Sequence, residues 1–199
     1  MNSFAQSLAF ALLVGPGIHA SAQEVQPAPK VPSIADQLKR AKPGPEHEKL
    51  VRYSGEWDLE IKMRPNTIYQ GRATNLAIVG GRFLQIEYQT KGSRDSIDGI
   101  FTVGFDPRHE RFTMIAMDSF GPYFVTSQGK RDEATGIIKM LGTDDDPAVK
   151  AMGYTKEFIH ALDLRGPDEF TIEIYFINTR TPERREMKFM TYTFKRKAA

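Results

Sequence analysis

The fold is decided by residues 55–63, which read Gly-Glu-Trp-Asp-Leu-Glu-Ile-Lys-Met. From Trp57 onward, large apolar residues alternate with charged ones. Because successive side chains of a β-strand point to opposite faces, this period of two predicts a strand that is buried on one face. Trp57, Leu59 and Ile61 are the residues expected to face a core.

The same alternation recurs along the chain, for example at residues 84–88, 97–105 and 170–176. No long segment with the 3.6-residue period of a helix separates these runs, so parallel βαβ units are not expected. The pattern predicts an all-β fold, an antiparallel up-and-down β-barrel of about ten strands. The residues interpreted as turn markers are Gly80-Gly81, Asp106-Pro107, Gly121-Pro122, Gly136, Gly142, Gly166-Pro167 and Thr181-Pro182.

The N-terminal segment, residues 1–22, has the features of a signal peptide. The apolar run at residues 8–14 is uncharged and too short to span a bilayer, although the Lys or Arg that usually precedes such a run is missing here. Small residues follow at Ala20-Ser21-Ala22, as a signal peptidase requires. We therefore expect cleavage between Ala22 and Gln23, and a periplasmic or secreted protein.

Residues 23–45 differ in composition, since they hold five of the 12 prolines. Proline-rich polar stretches favour extended conformations, so this segment is predicted to be a linker or a lid. Ser33 with Asp36 three residues later resembles a capping box and predicts a short helix. A second short helix is expected from Glu46 to Arg52, at the start of the barrel domain of residues 46–199.

Charge and cysteine content exclude several classes of function. The 27 basic and 25 acidic residues give a net charge of only +2. Binding to nucleic acid needs a concentrated basic surface, and this balance of charges does not indicate one. The chain has no Cys, so disulfides, thiol catalysis and cysteine metal sites are excluded. No membrane span is expected after signal cleavage, and no cofactor is indicated. The oligomeric state is left open.

Short motifs occur in a fixed order along the barrel region. Gly-x-Trp opens the first strand, and Arg196 ends the last one. Each motif also has a backbone explanation: paired glycines suit a turn with positive φ, and Asp-Pro starts a tight turn. The ordered set is Pro45-Glu46-His47-Glu48-Lys49-Leu50, Gly55-Glu56-Trp57, Gly80-Gly81-Arg82-Phe83, Gly104-Phe105-Asp106, Asp118-Ser119 and Gly129.

Together these motifs resemble the bacterial domain-of-unknown-function family 1579, over about residues 45 to 197. Members of that family are lipocalin-like, within the calycin superfamily. The resemblance implies a barrel whose base is closed by Trp57 and covered by Arg196, and it implies no activity. The chain departs from the pattern at Phe105, where members more often have Tyr, and near Ala116, where they more often have an aromatic residue. The residues that carry the structural signature are Gly55, Trp57, Gly80, Gly81, Asp106 and Arg196.

The spacing of the polar residues gives little support for a metal site or a catalytic site. His47, His109 and His160 remain after cleavage, without metal-binding spacing. The acidic run at residues 144–146 is interpreted as a solvated turn rather than a calcium loop. Asp118-Ser119 lacks the Gly-x-Ser-x-Gly context of a hydrolase. The sequence therefore identifies no catalytic residue.

Three functions stay open: binding of a small apolar molecule inside the barrel, a solidly packed barrel that acts as an envelope interaction module, and an enzyme acting on a small molecule in the cavity. We favour the first, because a barrel of eight or more strands can enclose one small ligand. If His160 lines the cavity, binding is expected to change between about pH 5.5 and 7.5. The candidate lining residues are Tyr88, Met114, Tyr154, His160, Tyr175 and Tyr192.

Overall fold

The computed structural model describes residues 33–91, 96–147, 151, 156–164, 166–178 and 182–198. Two short helices, α1 (Ile34–Arg40) and α2 (Pro45–Val51), precede the strands. The strands are β1 (Gly55–Met63), β2 (Thr67–Ile78), β3 (Phe83–Thr90), β4 (Asp98–Asp106), β5 (Arg111–Asp118), β6 (Phe124–Arg131), β7 (Ile138–Asp144), β8 (Lys156–Asp163), β9 (Glu169–Ile177) and β10 (Glu186–Arg196).

The ten strands form a closed antiparallel barrel in which each strand pairs with its neighbours in the sequence. β1 and β10 close the barrel, with Trp57 opposite Arg196 and Met63 opposite Met190. The all-β up-and-down barrel predicted from the alternation is thus confirmed.

The barrel has two different ends. We call the end at the start of β1 the base, and the end at Met63 the mouth. Because the strands alternate in direction, α2 and the turns after the even-numbered strands lie at the base. The turns after the odd-numbered strands lie at the mouth. The connecting loops therefore fall into two separate groups, one at each end of the barrel.

Aromatic side chains fill the base half of the interior. Phe170 and Phe194 stack with their ring centroids 4.3 Å apart, and Trp57 meets Phe170 edge-to-face at 4.9 Å. All three side chains are almost fully buried. Truncating one such ring costs about 3–5 kcal/mol, so this cluster is a main source of the stability of the fold.

The segment between α2 and β1 closes the base through hydrogen bonds. The carbonyl oxygen of Tyr53 accepts from Trp57 Nε1 at 3.0 Å and from Asn75 Nδ2 at 2.9 Å. The Tyr53 hydroxyl donates to the carbonyl of Gly166 at 2.8 Å, in the β8–β9 turn. On α2 itself, Leu50 is fully buried. These contacts tie the segment before β1 to β2 and to the β8–β9 turn at this end of the barrel.

Several glycines lie inside strands where the neighbouring strand approaches closely. A Cβ atom on Gly129 would lie 1.8 Å from the carbonyl oxygen of Lys139, and one on Gly142 would lie 2.5 Å from that of Thr126. Strand glycines of this kind mark tight bends of a barrel. The interpretation of Gly142 as a turn marker is therefore wrong, because this residue lies within β7.

The N-terminal arm joins the barrel at its base. As predicted, Ser33 caps α1, since its Oγ accepts from the Asp36 backbone N–H at 3.2 Å. Arg82 Nε, in the β2–β3 turn, donates to the Ala41 carbonyl at 2.8 Å. The predicted signal peptide and residues 23–32 lie outside the described residues. In the part of the chain that the structure describes, no helix has the length and apolarity to cross a membrane.

Candidate functional site

The mouth half of the barrel contains a cavity of about 360 Å³. It lies above Phe101 and Tyr192, on the side of these rings away from the aromatic cluster of the base. Apolar side chains supply most of its wall, and a few polar groups occur among them. The lining residues are Met63, Phe101, Ala116, Asp118, Phe120, Tyr123, Val125, Asp144, Lys156, Phe158, His160, Ile174, Phe176, Phe189, Met190 and Tyr192.

His160 is the principal polar residue of the cavity wall. Its side chain projects inward from β8 between the rings of Phe101 and Phe158, at centroid distances of 6.2 and 5.0 Å. Its Nδ1 shares a hydrogen bond of 2.9 Å with Ser127 Oγ on β6. Among the described residues Ser127 is the partner of this ring, so Nε2 is the nitrogen available to a bound molecule.

The protonation of His160 is governed by its burial. The side chain is 2% exposed, and removal from water lowers its pKa from 6.5 to about 4. The imidazole is therefore neutral near pH 7. Burial therefore moves the pKa of His160 below the range of about pH 5.5 to 7.5 that a solvated histidine suggests, and the pH dependence of binding itself stays a prediction.

Tyr192 contributes a second buried polar group. Its ring packs edge-to-face on Phe101 at 5.1 Å, and the side chain is 1% exposed. Its hydroxyl lies 3.5 Å from that of Tyr88, which is the outer limit of a hydrogen bond. Burial raises the pKa of both hydroxyls, so both remain protonated and able to donate.

Three charged residues line the cavity near the mouth. Lys156 Nζ lies 3.1 Å from Asp144 Oδ2 and also over the ring of Phe176, 5.2 Å from its centroid. The other carboxylate, Asp118, accepts a hydrogen bond of 2.9 Å from the Phe120 backbone N–H. Burial raises the pKa of Asp118 above its usual value, and the hydrogen bond from the Phe120 N–H and the attraction of Lys156 only partly offset this rise. The mouth thus combines one ion pair with one carboxylate that lacks such a partner among the described residues.

Aromatic side chains surround these charges. Phe120 and Tyr123, in the β5–β6 turn, line the cavity and are 56% and 54% exposed. On the opposite side Phe176 and Phe189 pack together with their centroids 4.8 Å apart. A molecule that enters the cavity passes between these two aromatic groups.

The predicted lining residues are found in different places. His160 and Tyr192 line the cavity. Met114 is fully buried on the inner face of β5, and Tyr88 stacks on Phe101 at 5.2 Å, so both belong to the packed interior beside the cavity. Tyr154 lies outside the described residues.

Tyr175 does not line the interior, contrary to the prediction. Its neighbours on β9, Ile174 and Phe176, line the cavity. Because side chains alternate along a strand, Tyr175 faces outward. There its hydroxyl donates to Glu173, and Lys188 Nζ lies 5.6 Å from the ring centroid.

The signature residues lie at the base. Gly55, Gly80 and Gly81 have φ of 123°, 63° and 78°, a region that only glycine occupies readily. Asp106 ends β4 and accepts from the Arg108 backbone N–H at 3.0 Å, which fixes the turn. The contact expected between Trp57 and Arg196 is present at 4.3 Å. These residues shape the base and do not reach the cavity.

Sequence reasoning missed the charged residues of the mouth. Asp144 was taken for part of a solvated turn, but it ends β7 with its side chain directed inward. Asp118 follows Phe112, Met114 and Ala116 at steps of two, so the alternation did contain a signal for its inward direction. Among the described residues no group of three or more acidic or histidine side chains could hold a metal ion.

The Ser127–His160 pair is a weak basis for hydrolysis. A serine nucleophile needs a base that is itself held by a third polar group. The other contacts of His160 in the described structure are the rings of Phe101 and Phe158. With its pKa lowered to about 4, the imidazole is also a poor base at neutral pH. The pair is a buried polar element of the cavity wall.

Fold and cavity together define a class of protein: a closed antiparallel β-barrel that is filled at one end and hollow at the other. The sequence profile of the family described as "Protein of unknown function (DUF1579)" matches residues 42–196. The chain belongs to this family, as the ordered motifs predicted.

Comparison with solved structures finds designed barrels. The chain is similar to a de novo designed fluorescence-activating β-barrel, with 11% identity and a TM-score of 0.41 over 74% of this chain and 96% of that one. A redesigned β-barrel gives 14% identity and a TM-score of 0.38 over 76% and 95%. At these values the likeness has no bearing on function. No protein of curated function matches the chain.

Proposed function

We propose that this protein binds one small, largely apolar molecule in the cavity at the mouth of its barrel. The observation that carries the proposal is the cavity of about 360 Å³, open at the mouth, with His160 and Tyr192 in its wall. Ligand sites are typically apolar hollows of about 300–1,000 Å³ with a few convergent polar groups. The filled base supports the same function, because it makes the mouth the route of entry.

The size of the cavity sets the expected affinity. A molecule that buries roughly 300 Å² of apolar surface gains about 7 kcal/mol. Association costs reduce this gain, and hydrogen bonds to His160 Nε2 or to the Tyr192 hydroxyl add to it. A dissociation constant in the micromolar range corresponds to about 8 kcal/mol, and we expect binding of that order.

A neutral apolar fluorophore, N-phenyl-1-naphthylamine, tests the proposal. Its emission rises when it leaves water, so titration is expected to show saturable binding to one site. In the Ala116→Leu variant a larger side chain enters the cavity beside Phe101, and we expect binding to weaken at least tenfold. Ala116 is paired with Phe101 and Val125, which both line the same space.

Ile115→Phe is the matched control. This residue precedes Ala116, is 40% exposed on the outer face of β5, and takes added bulk without narrowing the cavity. The control is expected to bind as the parent does. If the fluorophore does not saturate a single site, or if Ala116→Leu binds as well as the parent, the proposal is wrong.

We also propose that the protein is exported and that the barrel is lipocalin-like. The support is the uncharged apolar segment of residues 1–22 and the Gly-x-Trp at the start of β1. N-terminal sequencing of the protein from a periplasmic or culture fraction is expected to begin at Gln23. An intact Met1 in that fraction would contradict cleavage, and a protein confined to the cytosol would contradict export.

A further inference from the structure

The charges of the cavity narrow the class of ligand. Among the described lining residues, Asp118 and Asp144 are acidic and Lys156 is basic, so the wall carries a net charge of −1. Lys156 is already paired with Asp144. A ligand carboxylate would have to compete with Asp144 for Lys156 and would face Asp118 as well. Like charges at such short range in a half-buried site are repulsive, so an acidic ligand is disfavoured.

Asp118 favours a ligand that carries a positive charge. Its Oδ1 accepts the Phe120 N–H, which leaves Oδ2 available on the inner face of β5. The side chain is partly removed from water, and the hydrogen bond from Phe120 together with the more distant charge of Lys156 only partly compensates this desolvation. A positively charged group beside Asp118 would relieve that cost. Charge-assisted hydrogen bonds to carboxylates are also among the stronger polar contacts in proteins.

Aromatic rings reinforce the same preference. Phe120, Tyr123 and Phe176 line the cavity at the level of the three charges. The faces of aromatic rings attract cations, most strongly where water is excluded. Lys156, which lies over the ring of Phe176, shows that this wall already accommodates an ammonium group.

The deep part of the cavity is uncharged. His160 and Tyr192 are neutral near pH 7 and almost fully buried, and they offer hydrogen bonds rather than charge. An apolar body with at most a neutral polar group suits this part. The charge of the ligand is therefore expected at the mouth.

We propose that the ligand of this cavity is an amphiphilic amine, with its ammonium group bound by Asp118 at the mouth and its apolar body extending toward His160 and Tyr192. This inference rests on the proposed function of the same cavity. It adds the sign and the position of the ligand's charge.

Three probes that share one chain test it: octylamine, 1-octanol and octanoate, titrated by isothermal calorimetry at pH 7.5. We expect octylamine to bind about tenfold more tightly than 1-octanol, since one charge-assisted hydrogen bond contributes about 1.5 kcal/mol or more. Octanoate is expected to bind most weakly. In Asp118→Asn the preference for the amine over the alcohol should disappear, while binding of the alcohol stays the same.

Asp98→Asn is the matched control, because it removes the same charge from the mouth end of β4 at an exposed position. The control should keep the preference for the amine. Three results would overturn the inference and leave the cavity as a binding site. The three probes could bind equally, octanoate could bind most tightly, or Asp118→Asn could keep the preference for octylamine over 1-octanol. If N-phenyl-1-naphthylamine binds and no octyl probe does, the inference is also wrong. Failure of the fluorophore and of all three probes would overturn the proposed function itself.

Discussion

The guanidinium carbon of Arg196 lies 4.3 Å from the ring centroid of Trp57, across the pairing of the last strand with the first. The same guanidinium donates to the carbonyl oxygens of Ser54 at 3.1 Å and Arg52 at 3.0 Å. It also donates to Pro167 at 3.2 Å, in the β8–β9 turn. One side chain of β10 therefore satisfies backbone acceptors from two other parts of the base.

Arg196→Ala is expected to lower the free energy of unfolding by about 1–2 kcal/mol, because three partly exposed carbonyl acceptors lose their donor and the ring of Trp57 loses its cation. Urea titration followed by Trp57 emission measures this change. In the folded parent the emission should be blue-shifted, since the side chain is 1% exposed. Lys195→Ala, on the exposed side of the same strand, should change stability by no more than about 0.5 kcal/mol. Equal losses in the two variants would contradict this role of Arg196.

The burial of His160 predicts a loss of stability in acid. Its pKa is 6.5 when solvated and about 4 in the fold, so between these values the unfolded chain binds more protons than the folded one. The contribution of His160 to the free energy of unfolding is fully present above pH 6.5 and decreases as the pH falls toward 4. At 1.36 kcal/mol for each pKa unit, the loss is roughly 3 kcal/mol.

Chemical unfolding at pH 7.5, 5.5 and 4.5 measures this effect. His160→Asn keeps an amide near the position of Nδ1 and has no titrating ring, so its stability should fall much less between pH 6.5 and 4. Ser127→Ala retains the buried imidazole and should keep the slope of the parent, because burial is what lowers the pKa. A parent whose stability is flat across this range would contradict the assignment.

Asp118 should have the opposite effect on stability. Its pKa is raised by burial, so in the window just above the solvated value the folded chain binds the proton more tightly than the unfolded one. Stability from this group therefore falls as the pH rises through that window. Asp118→Asn is expected to raise the melting temperature at pH 7.5 and to change it little at pH 3.5. Thermal melts of both proteins at the two pH values provide the measurement, and a destabilised variant at pH 7.5 would count against the prediction.

Gly142 provides a test of the bend in β7. A Cβ atom at this residue would meet the Phe158 ring at 2.3 Å and the Thr126 carbonyl oxygen at 2.5 Å. We expect Gly142→Ala to cost about 1–3 kcal/mol through overpacking, and to weaken binding of the fluorophore because Phe158 lines the cavity. At Gly44 a Cβ atom would have no neighbour within 4 Å. Gly44→Ala should therefore cost less than about 1 kcal/mol, as expected for a helix N-cap.

The architecture was predictable from the sequence because it depends on a local property, the alternation of side chains. One residue in two along β1 is apolar, and that is sufficient to define the inner face. The interpretation failed at Gly142, where the same residue type serves a turn in one context and a bend within a strand in another. Composition alone does not distinguish the two cases, since the bend depends on how closely the next strand approaches.

The site was predictable in part. His160 and Tyr192 were predicted on the correct face of their strands, whereas the prediction for Tyr175 was one residue out of register with Ile174 and Phe176. Asp118 and Lys156 were missed because charged residues at strand ends usually face water. Their inward direction matters only once the barrel closes around them. The low pKa of His160 likewise depends on burial by strands that are distant in the sequence.

The closure of β1 on β10 has a consequence for how the chain folds. The other pairings join strands that follow one another in the sequence, so each can form between near neighbours in the chain. The contact between Gly55–Met63 and Glu186–Arg196 has to await the last segment of the polypeptide. Until then, both outer strands of the open sheet present unpaired backbone groups that attract other chains. Truncation before Glu186, which removes the whole of β10, should therefore produce aggregation rather than a smaller barrel.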